Sequence, residues 1–200
     1  MKAGFLYSGG KDSSLAALLL ARDYEVELNT FVFSETREIP SVENAARALG
    51  LPLRKRIFPE SLLEQAVNLV MECGYPNDAI NLVHREAACS LAKEYRVIGD
   101  GTRFDDRVPM LTRADVQRIG SLYGCSVTRP LLGFVRAEVD RLTDRYLDVA
   151  YGETGTIENG DYETGLREGC RKRGADPALL FPPHHEQSIV TGRRTLNEEN

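Results

Sequence analysis

Ser8, Gly9, Gly10, Lys11, Asp12, Ser13 and Ser14 are the run in which residue type and spacing most clearly suggest chemistry. Glycines let a backbone come close to an anion and take up positive φ. A helix starting here offers free N–H groups and the positive end of its dipole. The hydroxyls of Ser8, Ser13 and Ser14 add donors, Lys11 adds a mobile positive charge, and together they can cradle a phosphate chain. Asp12 would repel phosphate on its own, but has a place if Mg²⁺ sits between them. The spacing meets neither G-x-x-x-x-G-K-[ST] nor G-x-G-x-x-G. The plainer reading is a βα turn capped by serine.

Position decides between those readings. Residues 2–7 form an apolar strand candidate, and a helix is expected from about residue 12 to 22, so the run lies at a strand-to-helix turn. The pattern then continues. Strands are expected at 25–33, 53–58, 96–99 and 126–129. Pro130 bars the last from continuing into an interior ladder position. Helices are expected from Ser41 to Gly50 on Val42, Ala45, Ala46 and Leu49, and at 61–73 on Leu63, Ala66, Val67 and Val70. Others are expected at 81–95 on Ala88, Leu91, Ala92 and Tyr95, then at 113–123 and 135–147. Alternating strands and helices mean parallel βαβ units with helices on both faces of one sheet. From about Gly152 the periodicity fades. The glycines there suggest a mobile connection, followed by a short helix near 162–173 and an extended end.

Other residues could act at the same sheet edge. Asp105 and Asp106 end the polar loop after the fourth strand; they could hold metal or orient a substrate, or simply cap a helix. Arg103, Arg107 and Arg129 could steady phosphate or an acidic group, or form surface ion pairs. Cys73, Cys89, Cys125 and Cys170 include no C-x-x-C pair, so neither a zinc site nor a redox pair is indicated. The tail carries Pro182-Pro183-His184-His185-Glu186-Gln187-Ser188 amid apolar Leu179, Leu180, Phe181, Ile189 and Val190, too apolar for a free end. It is expected to pack on the nucleotide domain or a second subunit, with His184, His185 or Arg193 near the cleft.

Ser8-Gly9-Gly10-Lys11-Asp12-Ser13 resembles the signature of the PP-loop ATP pyrophosphatases, in the form with lysine in fourth place. Gly99-Asp100-Gly101-Thr102-Arg103-Phe104-Asp105-Asp106 looks like that family's second loop, and Arg129-Pro130-Leu131-Leu132 with Glu138 beyond it like its later R-P-L segment. The resemblance covers about residues 1–148. It implies a doubly wound α/β fold with a mostly parallel five-stranded sheet of order 3-2-1-4-5. With the fading periodicity beyond Gly152, it suggests a division into an ATP-binding domain, 1–150, and a C-terminal extension, 151–200, that could serve as lid or dimer contact. The implied reaction cleaves ATP to AMP and pyrophosphate and adenylates an acceptor for nitrogen or sulfur transfer. The implied cofactors are ATP and Mg²⁺. Lys11 and Asp12 would be catalytic, with Asp12 toward the metal and Asp105 or Asp106 assisting. ATP would be held by residues 8–14, by Phe33 at the end of the second strand, and by Gly99, Gly101 and Thr102. Arg103, Arg107 and Arg129 would face the substrate. The acceptor, a small molecule or an RNA, stays open, as does a tRNA thiolation activity or a module that binds ATP or AMP without turnover. A homodimer and an ammonia- or sulfur-donating partner fit the same picture.

Composition bounds these readings. The 200 residues suit one α/β domain, and 42% hydrophobic content supports a core. A net charge of −5 argues against indiscriminate nucleic-acid binding. No segment is long enough to span a membrane. The apolar run from Leu15 to Ala21 has charged flanks and no cleavage site, so it reads as a buried helix rather than a secretion signal. A reducing, cytoplasmic setting is expected.

Overall fold

The computed structural model describes residues 1–153, 156–183 and 186–194. Five strands form one parallel sheet: β1 Lys2–Leu6, β2 Glu25–Val32, β3 Leu53–Ile57, β4 Val97–Gly99 and β5 Ser126–Thr128, in the order β3-β2-β1-β4-β5. The expected α/β fold and strand order are therefore observed. Six helices connect or follow these strands: α1 Lys11–Leu20, α2 Pro40–Leu49, α3 Glu60–Cys73, α4 Asn77–Ala92, α5 Arg113–Tyr123 and α6 Arg136–Tyr146. Gly50 and Gly74 close α2 and α3 with φ of 70° and 69°, a conformation that glycine takes without steric cost.

Strand alternation divides the core. Ala3, Phe5 and Tyr7 point into one cluster with α1, α2 and α6, while Leu6 joins the other with α3, α4 and α5. The sheet is thus covered on both faces. Its outer strand β3 exposes Arg54 and Lys55, charges that discourage pairing with another edge. Among the described residues no helix is long and apolar enough to cross a membrane.

In the last quarter of the chain the short helix, the extended end and its packing on the sheet domain are as expected, while the strand pairing and the close packing of the glycines are not. The sixth strand, β6 Leu147–Glu153, follows α6 directly and pairs antiparallel with β7 Glu186–Arg193. Between them stand α7 Glu163–Lys172 and the short α8 Pro177–Leu180. Leu166, Cys170 and Phe181 join the α3–α4 cluster, and Ile189 and Val190 join the α1–α2 cluster. The described part of the glycine-rich stretch is closely packed rather than free. A Cβ on Gly165 would come within 2.4 Å of the Phe33 ring, and one on Gly169 within 2.5 Å of Val67. Leu179 is the exception in the apolar tail, at 82% exposure. His184 and His185 lie outside the described residues.

Ile189 lies over Gly9, where a Cβ would come within 2.6 Å of its Cδ1. Ile189→Ala would leave a void beneath β7 and should cost about 2 kcal/mol or more in urea unfolding. A loss well under half of that would mean that β7 packs only loosely on the sheet domain.

Candidate functional site

The run Ser8–Ser14 leaves β1 and enters α1 at the carboxyl edge of the sheet. It sits where β1 and β4 lie side by side and the strand order reverses, the usual ligand position in open α/β sheets. Gly9 has φ of 83°, which would strain a residue with a Cβ. Gly10 caps α1 and brings no side chain to the free N–H groups. Ser188 of β7 accepts from the Lys11 N–H at 3.1 Å, and the Val190 N–H donates to the Gly9 carbonyl at 2.9 Å. Ser13 Oγ donates to the Gly10 carbonyl at 3.0 Å and lies 3.1 Å from Ser8 Oγ. The Gly160 N–H donates to the Ser8 carbonyl at 2.7 Å. Asp12 and Ser13 occupy the second and third helical positions, whose N–H groups have no partner within the helix.

The second loop packs directly on this turn. A Cβ on Gly101 would come within 2.7 Å of Ser13 Cα and 2.8 Å of its nitrogen. Only glycine allows that approach. Asp100 is buried beside it. Its Oδ1 accepts the Thr102 N–H at 2.9 Å, and its Oδ2 lies 3.2 Å from His84 Nε2. His84 Nδ1 is in turn 3.2 Å from the Tyr162 hydroxyl. Burial pushes the Asp100 pKa up, but the bonds from His84 and Thr102 outweigh it and hold the carboxyl below its ordinary value. Burial, with the charge of Asp100 adding to it, pushes the Tyr162 hydroxyl well above the usual tyrosine range.

Lys11 is buried, with its Nζ 2.9 Å from Asp12 and 3.0 Å from Asp140 of α6. Burial pulls its pKa down, but the two carboxylates outweigh this and the net shift is upward, so the charge is kept. Arg103 pairs with Asp106 at 2.6 Å and stands 3.7 Å from Asp12 and 3.6 Å from Asp105. Asp105 accepts the Arg136 N–H at 3.1 Å at the start of α6, the capping role that its loop position allowed.

These groups surround one cleft of about 800 Å³, within the usual range for small-molecule sites. Of the residues singled out from the sequence, Ser8, Gly10, Lys11, Asp12, Ser13, Gly101, Thr102, Arg103, Asp106 and Arg107 line it. The others stand elsewhere. Ser14 is fully buried, 3.0 Å from the Tyr7 hydroxyl, whose pKa burial pushes up to about 12. Gly99 is within β4, packed on Phe5 and Thr128. Arg129 donates to the Leu111 carbonyl at 2.9 Å and supports the loop before α5. Phe33 lines a separate hollow of about 80 Å³ with Ser34, Gly160 and Gly165. Cys73 is exposed at the end of α3 and Cys125 is buried beside β5; neither lines the cleft.

Several participants were not anticipated. Asp140, His84, Tyr162 and Ser188 come from segments far apart in the sequence. Only His84 carried a local sign: it lies one turn before Ala88 on the apolar face of α4.

Fold and site together define a doubly wound α/β protein with a glycine-rich, lysine- and aspartate-bearing loop at its switch point. More particularly, the chain belongs to the family described as "Family of unknown function (DUF7411)", whose pattern matches residues 1–192. An uncharacterized protein of Methanocaldococcus jannaschii is 32% identical over 191 residues, covering 95% of this chain and 96% of that protein. A crystal structure from the same organism, described as a predicted subunit of tRNA methyltransferase, superposes with a TM-score of 0.88 at 32% identity over 98% of each chain. The NH3-dependent NAD synthetase of Campylobacter jejuni gives a TM-score of 0.48 at 16% identity over 90% of this chain and 80% of its own.

The tight seat of Gly101 can be tested directly. Gly101→Ala should displace the first turn of α1 and move the amide NMR signals of residues 8–14 while leaving those of α3 in place. Unmoved signals at 8–14 would mean that the second loop can give way without disturbing the first.

Proposed function

We propose that this protein is an ATP-dependent adenylating enzyme of the PP-loop type. It holds ATP with Mg²⁺ at the loop Ser8–Ser14 and cleaves between the α- and β-phosphates. AMP passes to an acceptor, which is then ready for nitrogen or sulfur transfer. The observation that carries this reading is the pairing of Lys11 and Asp12 at the open start of α1, facing an 800 Å³ cleft at the sheet's switch point.

The donor chemistry suits the cofactor. Asp12 offers a hard carboxylate oxygen of the kind Mg²⁺ takes. Thr102 Oγ1 is buried in the same cleft, where its hydroxyl can donate to or accept from a bound ligand. When bound, Mg²⁺ neutralises and orients phosphate oxygens. In this reading Lys11 exchanges a carboxylate for the departing pyrophosphate. The N–H groups of Asp12 and Ser13 point to the same oxygens. Arg103, Arg107 and Arg136 line the cleft and can hold a further anionic group. Asp106 fixes Arg103 in place. The adenine belongs at the end of β2 beside Phe33, where the present hollow is too small and the 159–165 segment must shift to admit it. Catalysis of this kind is chiefly positioning and charge neutralisation.

The description of the similar M. jannaschii structure favours a tRNA as the acceptor. With no cysteine lining the cleft, a sulfur carried on this chain's own cysteines is disfavoured within that reading.

Mg·ATP supplied to the protein should yield AMP and pyrophosphate, measured by chromatography, even if slowly with water as acceptor. Lys11→Ala and Asp12→Ala should each reduce that yield on the order of 100-fold, with the melting temperature little changed in Asp12→Ala and lowered in Lys11→Ala, which takes the buried ammonium away from Asp140. ADP as the main product would refute the mechanism.

A further inference from the structure

We propose that Tyr162, His84 and Asp100 form a proton-accepting relay in this cleft, and that the acceptor is therefore a nucleophile bearing an exchangeable proton on its attacking nitrogen or oxygen. The inference rests on the adenylation reading and adds the acceptor's chemistry to it.

Three separate elements bring the groups together. His84 comes from α4, Asp100 from the turn after β4, and Tyr162 from the residue preceding α7. His84 and Asp100 are only 3% and 2% exposed, yet both line the cleft, as does Tyr162. An ionised carboxylate can only accept, so His84 Nε2 carries its hydrogen toward Asp100. Nδ1 is then left as an acceptor for the Tyr162 hydroxyl, 3.2 Å away. This is the order of a carboxylate-oriented base: Asp100 fixes the tautomer and balances a developing imidazolium, and His84 takes the proton.

The Asp100 end of the relay lies beside the phosphate loop. Thr102, whose N–H is bonded to Asp100, adjoins Gly101, and Gly101 touches the Asp12–Ser13 backbone. The Thr102 hydroxyl is buried and lines the cleft. Tyr162, at the other end of the relay, lines the same cleft. Other charged groups lining the cleft are Lys11, Asp12, Arg103, Asp106, Arg107, Arg136, Asp161, Glu163 and Glu186.

The step balances. The acceptor's nitrogen or oxygen forms a bond to the α-phosphorus as the bond to the bridging oxygen breaks, and pyrophosphate leaves with the electron pair. The acceptor's proton passes to the Tyr162 oxygen, while the tyrosine's own proton moves to His84 Nδ1. The products are the adenylated acceptor, pyrophosphate, and an imidazolium paired with Asp100, which later loses its proton to solvent.

A purely structural role would tie the same three elements together without taking a proton, and His84→Gln separates the two. Glutamine can still donate to Asp100 and accept from Tyr162, but cannot hold the extra proton. The probe is Mg·ATP with water as the nucleophile, using the full chain and following AMP release. His84→Gln should lower kcat by roughly 100-fold or more while KM for Mg·ATP and melting temperature stay near native. Tyr162→Phe, which removes one hydroxyl from the cleft wall, should do the same and covers the case in which His84→Gln fails to fold. Added imidazole should partly restore AMP release in His84→Ala. Native-like kcat in a folded His84→Gln or Tyr162→Phe protein overturns the relay and leaves adenylation standing. Mg·ATP binding with no AMP released by the native protein overturns both readings together.

Discussion

A helix start is unsatisfied by construction, and the first turn of α1 is the place on which this structure depends. Its leading N–H groups have no partners within the helix, and Gly10 contributes no capping side chain. Distant segments gather round it. Ser188 takes the Lys11 N–H, Val190 binds the Gly9 carbonyl, Gly160 binds the Ser8 carbonyl, and Gly101 presses on Ser13. Two of these contacts need glycine, because a Cβ on Gly101 or Gly160 would fall within 2.7 Å of an atom already there. The turn is therefore held by backbone and small groups, which leaves room above it for the cleft.

Charge at the turn is arranged in excess of one sign. Lys11, Arg103 and Arg136 are interleaved with Asp12, Asp105, Asp106, Asp140 and Glu186. Among the described residues this ion-pair network sets three cations against five carboxylates, an excess that Arg107 on the cleft wall offsets only in part. A bare polyphosphate would meet that excess as repulsion, despite the helix dipole, whose effect is limited to about 0.3–1 kcal/mol near the surface. A polyphosphate arriving with a divalent cation would not. The same cluster explains why Lys11 can be buried at all: two carboxylates within about 3 Å offset the loss of solvation.

The sheet was legible because its signals are local. Helices such as α2, α3 and α4 carry their own period, β1 and α1 are contiguous apolar runs, and Gly50 and Gly74 mark helix ends in the sequence as they do in the structure. The glycine-rich turn into α1 was legible for the same reason, since strand, glycines and helix start are contiguous. The remainder depends on distant partners. β6 and β7 pair Leu147 with Arg193 and Glu153 with Glu186, and neither strand shows a period strong enough to announce itself. The glycines at 160, 165 and 169 suggested looseness, but these are sites where another chain segment comes too close for a Cβ. Asp105 and Asp106 were readable as acidic loop residues, but not which would cap a helix and which would hold Arg103. His84 lay on a recognised helix face, but its partners, Asp100 and Tyr162, are 16 and 78 residues away, beyond any pattern of spacing.

β7 also limits how firmly the turn can grip an anion. Ser188 already satisfies the Lys11 N–H, so the donors left for a phosphate are the next two N–H groups and the Lys11 ammonium, and the ammonium is shared with Asp12 and Asp140. Each of those carboxylates must be partly released for Lys11 to turn to a ligand. A loop meant only to retain nucleotide would gain from every donor pointing outward. A loop whose ligand becomes a leaving group gains less from tight ground-state binding, because interactions equally strong in the ground state and the transition state do not raise kcat. On the adenylation reading proposed above, the carboxylates beside Lys11 would give it somewhere to return once the anion departs, and the resting arrangement of the turn would oppose product retention.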